Sequence, residues 1–288
     1  MDNNHNRKWF LGAHLSIAKG FDHAVYEARS LGCNALQIFT KNATTWKERD
    51  VSVPEIERFL RAKHETGINM IASHTSYLIN LASEEPGIRK KSIQALTSEM
   101  IRSGRLELSY VVIHPGAHKG YGVNQGLARI AESLNIVFDQ LAPDIPRLLL
   151  ETTAGQGSSL GSCFGHLSTI MENVTKPDRL GVCMDTSHIF AAGYDIRTDN
   201  AYDQTMNAFD STIGFEHLYL FHLNDSKKDM GSGVDRHEHI GRGFIGTGAF
   251  RRIMRDSRFV NVPKIIETPK ENNMDQVNLN LLKTLFEQ

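Results

Sequence analysis

Leu180-Gly-Val-Cys-Met-Asp185-Thr-Ser-His188 is the stretch on which the fold turns. Five apolar or small residues make a strand-sized run, the run stops on a carboxylate, and a histidine follows three positions later. Short apolar runs without alternation suit strands buried on both faces, as in a parallel sheet. The same pattern recurs along the chain. Strand-like runs are predicted at residues 10–14, 35–40, 70–74, 110–114, 147–151, 180–185, 218–222 and 264–267. Between them lie amphipathic segments. Residues 54–65 place Ile56, Phe59, Leu60 and Ala62 at helical spacing behind a proline that the first turn tolerates. Residues 127–141 carry Ile130, Leu134, Val137, Phe138 and Leu141 on one stripe, and residues 274–286 read as the last helix.

Strands alternating with helices favour a parallel sheet. Eight units in 288 residues give about 36 residues per unit, the size of a βαβ repeat. That count favours a closed (β/α)8 TIM barrel with the strand C-termini on one face, and an open doubly wound sheet is the alternative. No Gly/Ser/Pro-rich linker divides the chain, so residues 1–288 are expected to form one domain, with residues 1–8 a flexible extension.

Composition excludes several classes. With 40% hydrophobic and 23% charged residues, the chain has the make-up of a folded globular protein and not of a disordered one. No apolar run approaches the roughly 18 residues that cross a bilayer, and the first eight residues lack the apolar segment of a secretory signal. Three cysteines, Cys33, Cys163 and Cys183, make no disulfide framework and point to a reducing cytoplasm. A formal charge of −1 argues against a protein that holds nucleic acid by bulk positive field. Nothing in the sequence requires more than a monomer.

The chemistry is predicted at the strand ends. Successive runs finish on His74, His114, Glu151, Asp185 (with His188 close behind), His222 and Glu267, and the loop after the seventh run adds Asp235-Arg236-His237. A parallel barrel would bring all of these to one mouth. Each residue taken singly has an ordinary reading, and Asp185 could simply cap a following helix. The repetition in six consecutive units has none. Buried ionisable groups cost several kcal/mol unless paired or metal-bound. Five imidazoles and four carboxylates without a cysteine suit zinc, manganese or iron better than the oxygen-only sites of magnesium or calcium. Nine ligands exceed the needs of one ion. Three ions would use about three or four each, and a carboxylate bridging two ions about 3.5–4 Å apart suits in-line displacement at phosphorus. Three dications would also turn the formal charge positive, on a face where Lys41, Lys47, Arg49, Lys119, Lys227, Lys228, Arg236 and Arg242 all follow strands. Beside His74, Tyr77-Leu78 forms an aromatic–apolar pair able to wedge into a base stack.

These residues carry a family resemblance. His74-Thr-Ser-Tyr-Leu-Ile-Asn80, His114-Pro-Gly-Ala-His118, Glu151-Thr-Thr-Ala-Gly-Gln-Gly157, Gly181-Val-Cys-Met-Asp-Thr-Ser-His188, His222-Leu-Asn-Asp-Ser-Lys227 and Asp235-Arg-His237 resemble endonuclease IV, the zinc-dependent family of apurinic/apyrimidinic endonucleases. Gly12-Ala-His-Leu-Ser16 and Phe39-Thr-Lys-Asn42 match near the start, so the resemblance runs from about residue 10 to the end. It implies three zinc ions per chain. One would be held by His74, His114 and Glu151, a second by Glu151, Asp185, His222 and Glu267, and a third by His188, Asp235 and His237. It further implies a zinc-bound hydroxide, oriented by Glu151, that attacks the phosphate 5′ to an abasic site in double-stranded DNA and leaves a 3′-hydroxyl and a 5′-deoxyribose phosphate. Tyr77, Leu78, Lys41, Asn42 and Arg236 would meet the DNA, with the abasic sugar flipped out of the stack. The chain departs from the family pattern at Ser187, where cysteine is usual, and in the loop Asn42-Ala-Thr-Thr-Trp46, which lacks the usual basic or amide side chains after Asn42. Two other readings compete. A metal-dependent sugar isomerase or epimerase on the same barrel would need fewer metals and no wedge. A nucleic-acid-binding scaffold stapled by structural zinc would favour cysteines at suitable spacing.

Overall fold

The computed structural model describes residues 9–287, and the expected flexible extension at residues 1–8 lies outside them. Eight parallel strands close into a barrel in strictly sequential order. They are β1 (Leu11–Leu15), β2 (Ala35–Phe39), β3 (Met70–His74), β4 (Tyr110–Ile113), β5 (Arg147–Glu151), β6 (Leu180–Asp185), β7 (Leu218–His222) and β8 (Lys264–Ile266). The helices among the described residues are α1 (Phe21–Ser30), α2 (Val53–Thr66), α3 (Pro86–Arg105), α4 (Val123–Asp139), α5 (Phe164–Glu172), α6 (Thr186–Ala192), α7 (Asp199–Thr212), α8 (Thr247–Arg255) and α9 (Met274–Glu287). Closure comes from β1 pairing with β8, where Leu11, Gly12 and Ala13 lie against Lys264, Ile265 and Ile266. This is the TIM barrel expected from the alternation, and the open sheet is excluded.

Element ends differ by a few residues for identifiable reasons. His114 and Glu267 fall one residue beyond β4 and β8. In the first case Pro115 follows, which has no N–H to continue a ladder. The helix α4 begins four residues before the expected position 127, because its opening turn, Val123-Asn-Gln-Gly126, has too little apolar periodicity to be read as helix. The ends of α2 are set locally: Ser52 and Glu55 form a capping box, and Gly67 ends the helix at φ 73°.

Register turns the period of two into layers. One buried ring inside the barrel consists of Ala35, Ala72, Val112, Leu149, Cys183, Leu220 and Ile265, with Gly12 of β1 level with Ala35 and Ile265. A side chain cannot replace that glycine, since a Cβ there would lie 2.0 Å from the Ala35 carbonyl oxygen. Two residues further along each strand, on the same inward face, stand His14, Gln37, His74, His114, Glu151, Asp185, His222 and Glu267. The apolar ring is thus the floor beneath a ring of eight polar side chains, one per strand. Outside the barrel, Phe59, Phe138, Phe209 and Phe250 are fully buried, each contributing about 1.5–3 kcal/mol of apolar burial.

The loop between β2 and α2 is fastened to the scaffold by a buried ion pair. Arg102 of α3 reaches Glu99 at 2.7 Å, the Thr40 hydroxyl at 2.6 Å, Glu48 at 3.0 Å and the Arg49 carbonyl at 3.2 Å. Arg102→Ala would strand the buried Glu99 carboxylate, a loss of about 3–5 kcal/mol. The expected result is a melting temperature lower by on the order of 10 °C, and an unchanged melting temperature would show that the pair is not structural. Among the described residues, no helix is long and apolar enough to cross a membrane.

Candidate metal centre

The polar ring and the loops above it form one continuous cluster. His74 Nε2 lies 3.1 Å and His114 Nε2 3.0 Å from Glu151 Oε2. The other Glu151 oxygen lies 2.8 Å from His222 Nδ1, whose further carboxylate neighbours are Glu267 Oε2 at 3.2 Å and Asp185 Oδ2 at 3.9 Å. Above the ring, Asp235 spans two imidazoles, with one oxygen 3.2 Å from His188 Nε2 and the other 3.4 Å from His237 Nε2. Four groups of donor atoms fall within 4.8 Å of one another among the described residues: His74, His114 and Glu151; Glu151, Asp185, His222 and Glu267; Asp185, His188 and His237; and Glu151, Cys183 and His222. Eight of the nine predicted residues fall in these groups, and Asp235, which is in none of them, adjoins the cluster through His188 and His237. One feature was not expected from sequence: Asp185 belongs to two of the groups, because its Oδ2 also lies 3.7 Å from His237 Nε2.

Local folding explains each placement. Asp185 ends β6 and caps α6 by accepting the His188 backbone N–H at 2.9 Å, which turns the His188 imidazole back over the barrel mouth. Its helix-cap reading is thus met by Oδ1, while Oδ2 accepts an Asn224 amide hydrogen at 2.7 Å and lies toward His222 and His237. His237 and Asp235 are delivered by the long loop after β7. A fully buried Asp225 carboxylate holds that loop by accepting backbone N–H groups of Ser226, Gly243, Ile245 and Gly246. A Cβ at Gly243 would come within 2.3 Å of the Ser226 carbonyl oxygen, so only glycine permits this wrap.

Electrostatics fit a cation. Burial pushes the Glu151 carboxyl up, but the His222 and His114 imidazoles beside it hold it well below the usual range. Burial likewise opposes charge on His188 and His222. The Asp185 and Asp235 carboxylates nonetheless raise His188, and Cys183 first, then Glu267 and Glu151, raise His222. Asp235, pushed up by burial, is drawn down to about 2 by His188. Among the described residues five buried side-chain atoms have no hydrogen-bond partner, Arg129 Nη1, Ser187 Oγ and three imidazole nitrogens at the barrel mouth, His14 Nε2, His188 Nε2 and His237 Nε2. Buried polar atoms are satisfied almost without exception, and imidazole lone pairs facing carboxylates are the donor set of a divalent zinc-like ion. Cys183 also lies near Glu151 and His222, but its side chain packs in the apolar ring, where burial pushes its thiol up to about 12.

The expected DNA contacts are distributed unevenly. Tyr77 is 62% exposed, with its ring 5.6 Å from those of both Phe39 and His74. It stands between a cleft of about 980 Å³ lined by His14, Ser16, His237 and Glu267 and one of about 650 Å³ lined by Trp46, Leu78, His114 and Tyr121. Leu78 is half-buried beside it, while Asn42 and Arg236 are exposed. Lys41 is placed differently from the expected contact. It is buried, and its ammonium donates to the Thr45 carbonyl at 2.6 Å and approaches Glu48 at 3.8 Å, so its charge braces its own loop. Sequence reading missed His14 and Gln37, the β1 and β2 members of the ring. The available signal was a polar residue at an inward position two past the apolar ring.

A closed parallel barrel with histidines and carboxylates at its C-terminal mouth is one defined class of enzyme scaffold. The family model described as a xylose isomerase-like TIM barrel matches residues 25–285. Within that class the particular family is clear. The chain is 48% identical to a probable endonuclease 4 of Geotalea daltonii, covering 98% of this chain and 99% of that protein. It is 47% identical to a probable endonuclease 4 of Chloroflexus aggregans over 95% of this chain and 96% of that one. The crystal structure of endonuclease IV from Thermus thermophilus superimposes with a TM-score of 0.86 at 35% identity, covering 96% of this chain and 99% of that one. The chain belongs to the endonuclease IV family of nucleases.

Proposed function

We propose that this protein is a DNA-repair endonuclease that hydrolyses the phosphodiester 5′ to an abasic site in duplex DNA, leaving a 3′-hydroxyl and a 5′-deoxyribose phosphate. The observation that carries the reading is the overlap of three donor groups on Glu151 and Asp185 at the barrel mouth, in a chain nearly half identical to proteins named endonuclease 4. Three zinc ions would be held by His74, His114 and Glu151; by Glu151, Asp185, His222 and Glu267; and by His188, His237 and Asp235, with Asp185 within reach of the last group. When bound, they supply Lewis-acid stabilisation of phosphate charge and lower the pKa of coordinated water. Glu151 would orient the attacking water, since its two oxygens divide between two donor groups. All nine donors come from a single chain, so the monomer suffices, and a cytoplasmic location agrees with the unpaired cysteines.

Tyr77 supports damage recognition as a wedge with Leu78. It is exposed at the tip and anchored at its base by Phe39 and His74, and it separates two clefts that could each accept a displaced group. Stacking on an aromatic side chain contributes about 1–3 kcal/mol per base. Tyr77→Ala is therefore expected to weaken binding to abasic duplex by roughly tenfold or more while changing binding to intact duplex little; equal losses would mean that Tyr77 only packs its loop. Asn42 and Arg236 would meet the backbone from either side of the mouth.

The decisive assay uses a duplex with one tetrahydrofuran abasic analogue, which cannot undergo β-elimination. A cut on its 5′ side that leaves a 3′-hydroxyl, lost on chelation and restored by zinc, is the expected outcome. No incision by fully metallated protein would return the barrel to the sugar isomerase reading.

A further inference from the structure

We propose that Gln37 is a positioning residue of the metal centre: its side-chain amide determines which nitrogen of His222 is free to bind an ion and clamps Glu267 of the same donor group. The inference rests on the zinc reading above. Gln37 is fully buried in the middle of β2, at an inward ring position where a strand needs no polar group for its own sake. Both ends of its amide are engaged. Nε2 lies 2.6 Å from Glu267 Oε1 and 3.0 Å from His14 Nδ1, while Oε1 lies 2.8 Å from His222 Nε2.

These contacts force a chain of assignments. An ionised carboxylate only accepts hydrogen bonds, so the end of Gln37 facing Glu267 must be the NH2. The other end, facing His222, is then the carbonyl, which also only accepts. His222 Nε2 must therefore carry the hydrogen, and its lone pair resides on Nδ1. That atom faces Glu151, Glu267 and Asp185 at 2.8, 3.2 and 3.9 Å, the other members of its donor group.

The remaining imidazoles of the cluster are oriented differently. His74 and His188 each donate from Nδ1 to a backbone carbonyl, of Thr75 and Thr152 respectively, both at 2.8 Å, which leaves Nε2 for an ion. His237 Nδ1 likewise approaches a carbonyl, that of Glu267, at 3.3 Å. His222 binds through the opposite nitrogen because a side chain and not the backbone holds its far edge. Partners that fix the tautomer and direction of a liganding histidine alter metal affinity by about 10–100-fold.

Two substitutions separate positioning from packing. Gln37→Met keeps the length and apolar contacts but removes the contacts to His14, Glu267 and His222. Gln37→Glu keeps an acceptor for His222 and turns like charge toward Glu267. Zinc-loaded proteins would be titrated with EDTA and their metal content measured, and the histidine tautomers read from 15N–1H spectra of 15N-histidine-labelled protein. We expect one zinc per chain to leave Gln37→Met at an EDTA concentration about 10–100-fold lower than in the parent, with the others retained. The His222 Nε2–H signature should be lost in Gln37→Met but kept in Gln37→Glu, although the latter also releases zinc early. Release profiles and tautomer signals identical to the parent in both variants would overturn the inference alone. If Gln37→Met does not fold, Gln37→Glu decides, since normal zinc retention beside a carboxylate pair would equally overturn it. A parent protein that retains no zinc would instead sink the zinc reading, and this inference with it.

Discussion

Glu151→Gln is expected to lower the turnover of abasic-site incision by about 10³-fold, with binding of the abasic duplex reduced far less. The side chain is fully buried, and its two oxygens divide their contacts: Oε2 faces His74 and His114, Oε1 faces His222 and His188. The amide keeps the shape but removes the negative charge, and it puts an NH2 on one side where a bound ion needs a lone pair. It therefore weakens the shared edge of two donor groups and the orientation of the attacking water together. Single-turnover incision beside DNA-binding and zinc measurements would check this. Near-normal incision would remove Glu151 from the mechanism, while loss of activity in step with loss of all zinc would reduce its role to holding ions.

The second large effect concerns the metal-free protein, whose thermal stability is expected to fall as pH rises from 6 to 8.5. Burial lowers all three of His74, His188 and His222, but neighbouring acidic groups (carboxylates, and for His222 also Cys183) outweigh it and raise them above their ordinary values. A histidine with a raised folded-state pKa contributes stability that is complete below about 6.5 and disappears as pH climbs through the folded value. His14 and His166 oppose the trend, since burial lowers both, and so does Lys264, which burial lowers to about 8, but none of these is raised by a ring of carboxylates as the three imidazoles are. Toward acid, the depressed carboxylates Glu151, Glu267 and Asp235 lose their contribution as pH falls below about 4. The apo fold should thus be most stable between these limits. Zinc reverses the alkaline limb, because ions compete with protons for the same atoms and bind better as pH rises. Melting curves at pH 6 and 8.5, with EDTA and with zinc, would show a gap that widens by several degrees. A metal-free melting temperature that is flat or rises over that interval would refute the coupled cluster.

Much of this molecule is legible from local sequence because two short-range signals coincide. An apolar run marks a strand buried on both faces, and the residue that breaks the run marks where the strand leaves the core. Glu151 and Asp185 are of this kind: Leu148, Leu149 and Leu150 precede one, Val182, Cys183 and Met184 the other. Repeated six times, the pattern yields both the barrel and six members of its polar ring. Loop residues at short spacing, such as Asp235 and His237, are readable as a pair for the same reason. Lys41 shows the limit of that approach. A lysine after a strand looks available for DNA, and only the path of the loop back over Glu48 and Thr45 shows that its ammonium is already taken.

Strand and helix order, the barrel and the identity of nine ion-capable residues thus follow from local sequence, since each depends on periodicity and on what a buried strand end can tolerate. How those residues are shared is settled only by packing in three dimensions. Closure sets β1 against β8 and brings His14 within 2.9 Å of Glu267, 253 positions away. The stagger of neighbouring strands places Gln37 between Glu267 and His222, and the cap of α6 swings Asp185 into two donor groups at once. Such contacts depend on register around the whole ring, a global quantity that no window of sequence contains.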